Sequence, residues 1–346
     1  MKVALLEDIE KLRITEIATP KPQIGEVLIK VEACAVCGTD IKIFHHGHRL
    51  ITFPRVTGHE VTGKIIEVAQ DVSKYKSGDR VAIAPAVPCG DCYYCHRGKQ
   101  AMCENLQAIG YFWNGGFAEY MIVPKIAVDN GCVNILPDNV SFEEGALAEP
   151  LACVINGQEL SNVGMGDTVV IIGTGPMGCL HAELARAIGA TKTVMIEVSE
   201  ERLELAKKTV DADLFINSRE QDSIKLVKDL TQGRGADKIM VACGVGKAQE
   251  DALKMVANLG NVNFFGGLPK DKPYIQLDSN VIHYKECSVT GTHGSSPCHN
   301  QTAINLIASG KIRIKKYITK NFKLDDLAEA IARAETGKEM KIIITP

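Results

Sequence analysis

The chain contains no stretch of about 18 consecutive uncharged apolar residues, so nothing in it reads as a bilayer-spanning helix. Its amino terminus, Met1-Lys2-Val3-Ala4-Leu5-Leu6-Glu7-Asp8, lacks the apolar core of a secretory signal, and the expected compartment is the cytoplasm. Long runs of one charge are missing as well. A net charge of −3 over 346 residues offers no basic field for nucleic acid or a membrane surface. Internal repeats and low-complexity linkers are also absent. With 45% hydrophobic and 23% charged residues the composition is that of a globular protein, long enough for two domains.

Cysteine, by contrast, is plentiful, with twelve in the chain. In a reducing compartment thiols are first read as metal ligands or small buried hydrophobes. Cys89-x-x-Cys92-x-x-Cys95 is followed by Cys103 in a loop that carries Gly90 and Gly98. Four thiolates this close surround one zinc ion and leave no room for water, which makes a structural site. The alternatives are a cluster without metal or one used for redox; a nucleic-acid zinc ribbon would need more basic surroundings.

A second constellation joins Cys37-Gly38-Thr39-Asp40 to Thr57-Gly58-His59-Glu60. Cys37, His59 and Glu60 are soft, borderline and hard zinc donors, and three protein ligands with an open fourth position make a catalytic site. Thr39 places a hydroxyl where a proton can pass. Asp40 is a carboxylate able to hold the far nitrogen of His59. Ordinary packing or surface roles, or a redox pair of Cys34 with Cys37, are the competing readings.

Period-two alternation bounded by turn residues predicts strands near 26–32, 61–68, 80–84 and 117–123, hence a mostly β first domain. Ser141 and Glu144 form a capping box that starts a helix expected to carry Glu149, just before Pro150. On its residues alone, Glu149 is a solvated helix position. An apolar strand then runs into Gly173-Thr174-Gly175-Pro176-Met177-Gly178, a G-x-G-x-x-G turn, with a helix expected over 179–188 and a strand over 193–196 ending at Glu197. Gly173, Gly175 and Gly178 permit the tight turn, a close pyrophosphate and close helix packing, Pro176 and Met177 complete the turn, and the amino terminus of the helix that follows favours the negative charge. Glu197 stands where a carboxylate holds ribose hydroxyls and repels a 2′-phosphate, favouring NAD over NADP. Arg202 cuts the other way, as a receiver for that phosphate. A glycine turn in an ordinary α/β domain is the plain alternative. A helix from 223, a strand over 238–242, a helix over 247–258 and strands over 261–265 and 288–291 complete a doubly wound parallel sheet. The last segment has a helix ending near Gly310, another over 325–335 and a closing strand over 341–345.

With these parts in order, the whole chain resembles the zinc-dependent medium-chain dehydrogenases, and within them the polyol group that includes sorbitol dehydrogenase and its sugar-phosphate relatives. The resemblance rests on the Cys37–Asp40 and Gly58–Glu60 motifs, the four-cysteine lobe, Glu149-Pro150-Leu151 and the glycine turn. It implies an α/β protein: a GroES-like, mostly-β catalytic domain from 1–150 and 291–346, with the zinc lobe near 89–103, and a doubly wound Rossmann domain over 151–290. It further implies two zinc ions per chain and bound NAD. Cys37, His59, Glu60 and Glu149, the last directly or through water, match the catalytic zinc residues, and Cys89, Cys92, Cys95 and Cys103 the structural ones. Thr39 matches the proton relay, and the active site lies in the cleft between domains. The implied substrate is a small-molecule alcohol, a polyol or sugar alcohol, phosphorylated or not, oxidised to a ketose; the implied assembly is a homodimer or homotetramer.

A glutamate at 149, where the alcohol dehydrogenase branch has cysteine, matches the polyol branch. Two positions depart from the pattern. Lys42 stands where many relatives carry a relay histidine, and the segment Thr290 to Ser296 lacks the arginine and aromatic of sorbitol dehydrogenase. His45-His46-Gly47-His48-Arg49 is either a donor-rich loop for phosphate or hydroxyls or a solvated one. Two other functions remain open: oxidation of an amino alcohol such as threonine, and a zinc-stabilised NAD-binding protein without catalysis.

Overall fold

The computed structural model describes all 346 residues and divides them into two compact units, Met1–Ala152 with Gly294–Pro346, and Cys153–His293. No helix is long and apolar enough to cross a membrane.

The first unit is built on a seven-stranded sheet organised around Val27–Ala35. One face of this strand, with Val27, Ile29, Val31, Ala33 and Ala35, is buried in the core, while Lys30 and Glu32 on the other reach the surface, the alternation of an antiparallel strand. Glu60–Val68 pairs along one edge; Tyr120–Val123 and then Lys341–Thr345 share the other, all antiparallel. Ala35 therefore stands opposite Glu60 on one side and Ile343 on the other. Ile29, Ile65, Ile83, Phe117 and Met121 fill the core beneath, each side chain contributing about 1.5–3 kcal/mol by leaving water. The closing strand also pairs in parallel with Ile318–Lys323, which alternation alone does not signal.

The capping box at Ser141 forms: Ser141 Oγ accepts from the Glu144 N–H at 3.2 Å and Glu144 Oε2 from the Ser141 N–H at 3.0 Å. Its helix, however, covers only Phe142–Ala146, and Glu149 lies on the next one, Ala148–Leu160. Pro150 accounts for the break. It has no N–H and its ring collides with the carbonyl four residues back, conflicts that vanish in the first turn of a new helix.

The second unit carries a six-stranded parallel sheet in the order Leu214–Asn217, Lys192–Glu197, Thr168–Ile172, Ala236–Val241, Val256–Phe264, Ser288–Gly291. Thr168–Ile172 is buried throughout, as a central parallel strand requires. The expected helix over 247–258 instead covers Gly246–Met255 and passes directly into the strand Val256–Phe264. Val256 and Ala257 continue an apolar run that serves a helix or a buried strand equally well, and the pairing of Val256 with Ala236 decides it.

His181, on the helix Pro176–Ala187, is fully buried, edge-on to Phe265 with ring centres 4.6 Å apart. Burial lowers its pKa to about 3, so the fold rejects a proton that the unfolded chain binds near pH 6.5. Stability must fall as pH drops from about 6.5 towards 3. Between pH 7.5 and 5.0 this residue alone is expected to remove about 2 kcal/mol. Urea unfolding at both pH values, compared with His181→Gln, measures it; an identical pH dependence in the variant contradicts the assignment.

Candidate active site

Cys37 is the N-cap of the helix Gly38–His46. The Thr39 N–H donates to Cys37 Sγ at 3.4 Å, and the Cys37 N–H donates to Asp40 Oδ2 at 2.9 Å. Thr39 Oγ1 lies 3.6 Å from the sulfur. Glu60 opens the strand paired to Ala35, which brings one donor atom each from Cys37, His59 and Glu60 within 4.8 Å of one another.

Behind the imidazole, His59 Nδ1 and Asp40 Oδ1 face each other at 3.6 Å, both buried and neither hydrogen-bonded. This is just beyond hydrogen-bond range, at a place where two orphaned polar atoms are costly. Fixing the other ring nitrogen on a metal leaves Nδ1–H for Asp40, the usual support of a ligating histidine. The orphaned pair and the mixed S, N, O donor set fit zinc. Burial opposes a charge on His59, yet the negative charges of Asp40 and Cys37 beside it raise its pKa well above the ordinary value.

Lys341, which sequence reasoning missed, reaches this cluster from the closing strand. Its Nζ donates to both oxygens of Glu60 and to the Val36 carbonyl at 3.2 Å, with both side chains buried. Burial raises the Glu60 pKa and the Lys341 ammonium offsets only part of that; for Lys341 burial is outweighed, chiefly by Glu60, and its pKa is raised. The only hint in the sequence is a cation at the head of an otherwise apolar strand. Glu149 is not among the three clustered donors, but its charge acts on Glu60, Lys341 and Tyr111.

Lys42 is exposed on the helix. The donor-rich segment 45–49 is only partly a loop, because His45 and His46 form the last helical turn and Gly47 caps it. His45 is engaged by Glu10 at 2.7 Å and Glu335 at 3.4 Å. His48 instead meets Tyr111 edge-on, with ring centres 5.1 Å apart. Tyr111 in turn lies 5.5 Å from the His59 ring. It belongs to a turn clamped against Thr57–His59: the Gly116 N–H donates to the Gly58 carbonyl at 2.9 Å and the Phe117 N–H to the Thr57 carbonyl at 3.1 Å. A Cβ on Gly115 would stand 2.0 Å from the Gly58 oxygen, so the approach requires glycine.

The sulfurs of Cys89, Cys92, Cys95 and Cys103 also lie within 4.8 Å of one another. Backbone N–H groups, foremost that of Glu104, bring the Cys92 thiol down to about 6, ready to ionise onto a metal. Four sulfurs at this spacing fit a closed zinc site.

In the second unit, Gly175 caps the helix Pro176–Ala187, whose first turn holds Pro176 and Met177. A Cβ on Gly178 would stand 1.9 Å from the Gly173 oxygen, whereas one on Gly175 would meet nothing within 4 Å. The first contact packs helix on strand; the second leaves an open cradle at a helix amino terminus that fits a pyrophosphate. A cavity of about 500 Å³ adjoins it, lined by Gly173, Gly175, Glu197, Arg202, Ser218 and Cys243 among others. Glu197 accepts from Thr174 N–H and Oγ1, both at 3.0 Å, and from the N–H groups of Val198 at 2.8 Å and Ser199 at 3.2 Å. Burial works against its charge, but these donors lower its pKa overall.

The family model for the alcohol dehydrogenase GroES-like domain matches residues 23–134, and that for zinc-binding dehydrogenases matches residues 176–309. L-threonine 3-dehydrogenase of Pyrococcus furiosus is 36% identical over 336 residues, covering 95% of this chain and 94% of that one. D-arabitol-phosphate dehydrogenase of Enterococcus avium is 32% identical over 339 residues, covering 97% and 94%. Among solved structures, a zinc-binding dehydrogenase of Sinorhizobium meliloti bound to NADP superimposes with a TM-score of 0.92 at 30% identity, over 100% of this chain and 99% of that one. The likeness thus runs along nearly the whole length of these proteins, and the chain belongs to the zinc-dependent medium-chain dehydrogenases, oxidoreductases of the branch that includes the polyol dehydrogenases.

Proposed function

We propose that this enzyme oxidises a secondary hydroxyl of a polyol or sugar alcohol, phosphorylated or not, to the ketone and delivers the hydride to NAD. The observation that carries the reading is the Cys37, His59 and Glu60 cluster with Asp40 waiting behind the imidazole. A zinc ion held there, with Glu149 as direct or water-mediated partner, supplies the Lewis acidity that brings a bound hydroxyl towards neutral pKa. Asp40 fixes the His59 ring, and Lys341 pairs with Glu60 and aims it. Thr39, beside the Cys37 sulfur, takes the alcohol proton into a relay towards solvent.

The four-cysteine cluster holds the second, structural zinc. NAD occupies the cavity of the second unit with its pyrophosphate at Gly175, and Arg202 lines the same cavity. The ionised Glu197 repels a ribose 2′-phosphate, so NADP is the poorer cofactor. Hydride chemistry belongs to the nicotinamide; the protein positions it. The enzyme acts in the cytoplasm as a homodimer or homotetramer. The carboxylate at 149 and the arabitol-phosphate relative support the polyol reading. The threonine dehydrogenase relative supports a second one, oxidation of an amino alcohol such as threonine.

Three outcomes test this. Metal analysis is expected to find two zinc ions per chain, and chelation to abolish turnover while NAD binding persists; full activity in metal-free protein overturns the mechanism. Lys341→Met should cost the metal-free protein about 3–5 kcal/mol by stranding the Glu60 charge, and the zinc-loaded protein clearly less. Equal losses in urea unfolding with and without zinc would detach Glu60 from the metal. Finally, NADH absorbance with polyols, their phosphates and L-threonine chooses the substrate class, and turnover of threonine without any polyol selects the second reading.

A further inference from the structure

Tyr111 has no role in the site as derived above, yet its surroundings are those of a working residue. Its ring is tilted against His59 at 5.5 Å and braced edge-on by His48 at 5.1 Å. The turn that carries it is clamped to Thr57 and Gly58 by hydrogen bonds and by the glycine contact at 115, so the ring position is fixed by backbone. Its hydroxyl makes no hydrogen bond to any protein group, although the charges of His59, Cys37, Asp40 and Glu149 all act on it. A phenol whose ring lies against His59 and whose hydroxyl has no protein partner is free to bond a group bound at the metal. A phenol presents one donor and an acceptor oxygen.

We propose that Tyr111 is a substrate-contacting residue: its hydroxyl hydrogen-bonds the hydroxyl group adjacent to the reacting carbinol and so gives the site its preference for diols over simple alcohols. This rests on the polyol reading of the same site. A vicinal hydroxyl is the matching group because it both donates and accepts, as the phenol does, and stands one carbon from the atom bound at the metal. An alcohol with only a methyl there strands the phenol without a partner, and a site built to bond a hydroxyl rejects the analogue that lacks one.

The test uses 2,3-butanediol and 2-butanol, which differ by that one hydroxyl, with the zinc-loaded wild type and Tyr111→Phe. The variant keeps the ring and its contacts with His48 and His59. The ratio of kcat/KM for the diol to that for the alcohol is expected to fall about tenfold, mainly through KM for the diol. Calorimetric titration of the diol into the protein with NADH present, where no hydride can leave the alcohol, should show the same tenfold weakening without turnover. A wild-type preference that survives the substitution, or equal losses for both alcohols, overturns the assignment of Tyr111. Failure of the polyol reading shows differently, as no preference for the diol in the wild type itself.

Discussion

The contact on which the first unit depends is the buried pair of Glu60 and Lys341. Taking two charges out of water costs several kcal/mol per ion, and only close geometry with further hydrogen bonds offsets it. Here the offset comes from backbone. Register places Glu60 opposite Ala35 and Ile343 on its other side, and the Val36 N–H donates to the Ile342 carbonyl at 2.9 Å. Lys341 then reaches Glu60 and the Val36 carbonyl together. The carboxylate is thereby paired and oriented one residue from His59, with Cys37 two residues beyond Ala35. Because the lysine comes from the last strand, the cluster cannot be complete until the carboxyl-terminal segment has docked. Such non-local pairings are entropically expensive and slow to form.

The two cysteine-containing sites differ in this respect. The four-cysteine lobe spans only residues 89–103 and is assembled by its own turns and the short helix Tyr93–His96. The mixed cluster draws on a helix N-cap, a strand start and the closing strand. Between them runs the turn that follows Cys103 through Gln107–Ala108 to Tyr111 and Gly116, and its hydrogen bonds end on Thr57 and Gly58. A metal held by the four cysteines would therefore anchor one end of a segment whose other end fixes the backbone next to His59. Such an ion would serve the geometry of the mixed cluster without belonging to it.

What the sequence disclosed follows the same division. Groups whose partners are close in the chain were legible: the cysteine spacing, the glycine turn with its flanking strand and helix, and the Ser141 capping box. Groups defined by register were not. Lys341 is a routine lysine until strand pairing sets it beside Glu60, and Tyr111 an ordinary turn residue until Gly115 lets its loop touch Gly58. Competing local rules explain the remaining differences. Pro150 restarted a helix that periodicity would continue, Val256 took a strand where its neighbours favoured a helix, and His45 spent its donors on Glu10 and Glu335.

Glu197 combines both kinds of information. Its distance from the glycine turn made it the candidate for the ribose, but did not show how its carboxylate is occupied. Oε2 accepts twice from Thr174 and Oε1 from the N–H groups of Val198 and Ser199, which takes up the four favourable lone-pair directions of a carboxylate. A ribose diol must then share acceptors already engaged, and the hydrogen bonds it gains there are weak. The charge is not diminished by such sharing. It is held in place by fixed donors at the edge of a half-buried cavity, where a second negative group meets it with little screening. On the proposed NAD reading, selection between cofactors at this position would work through repulsion of a phosphate more than through attraction of a hydroxyl, with the turn that binds Glu197 keeping that repulsion aimed.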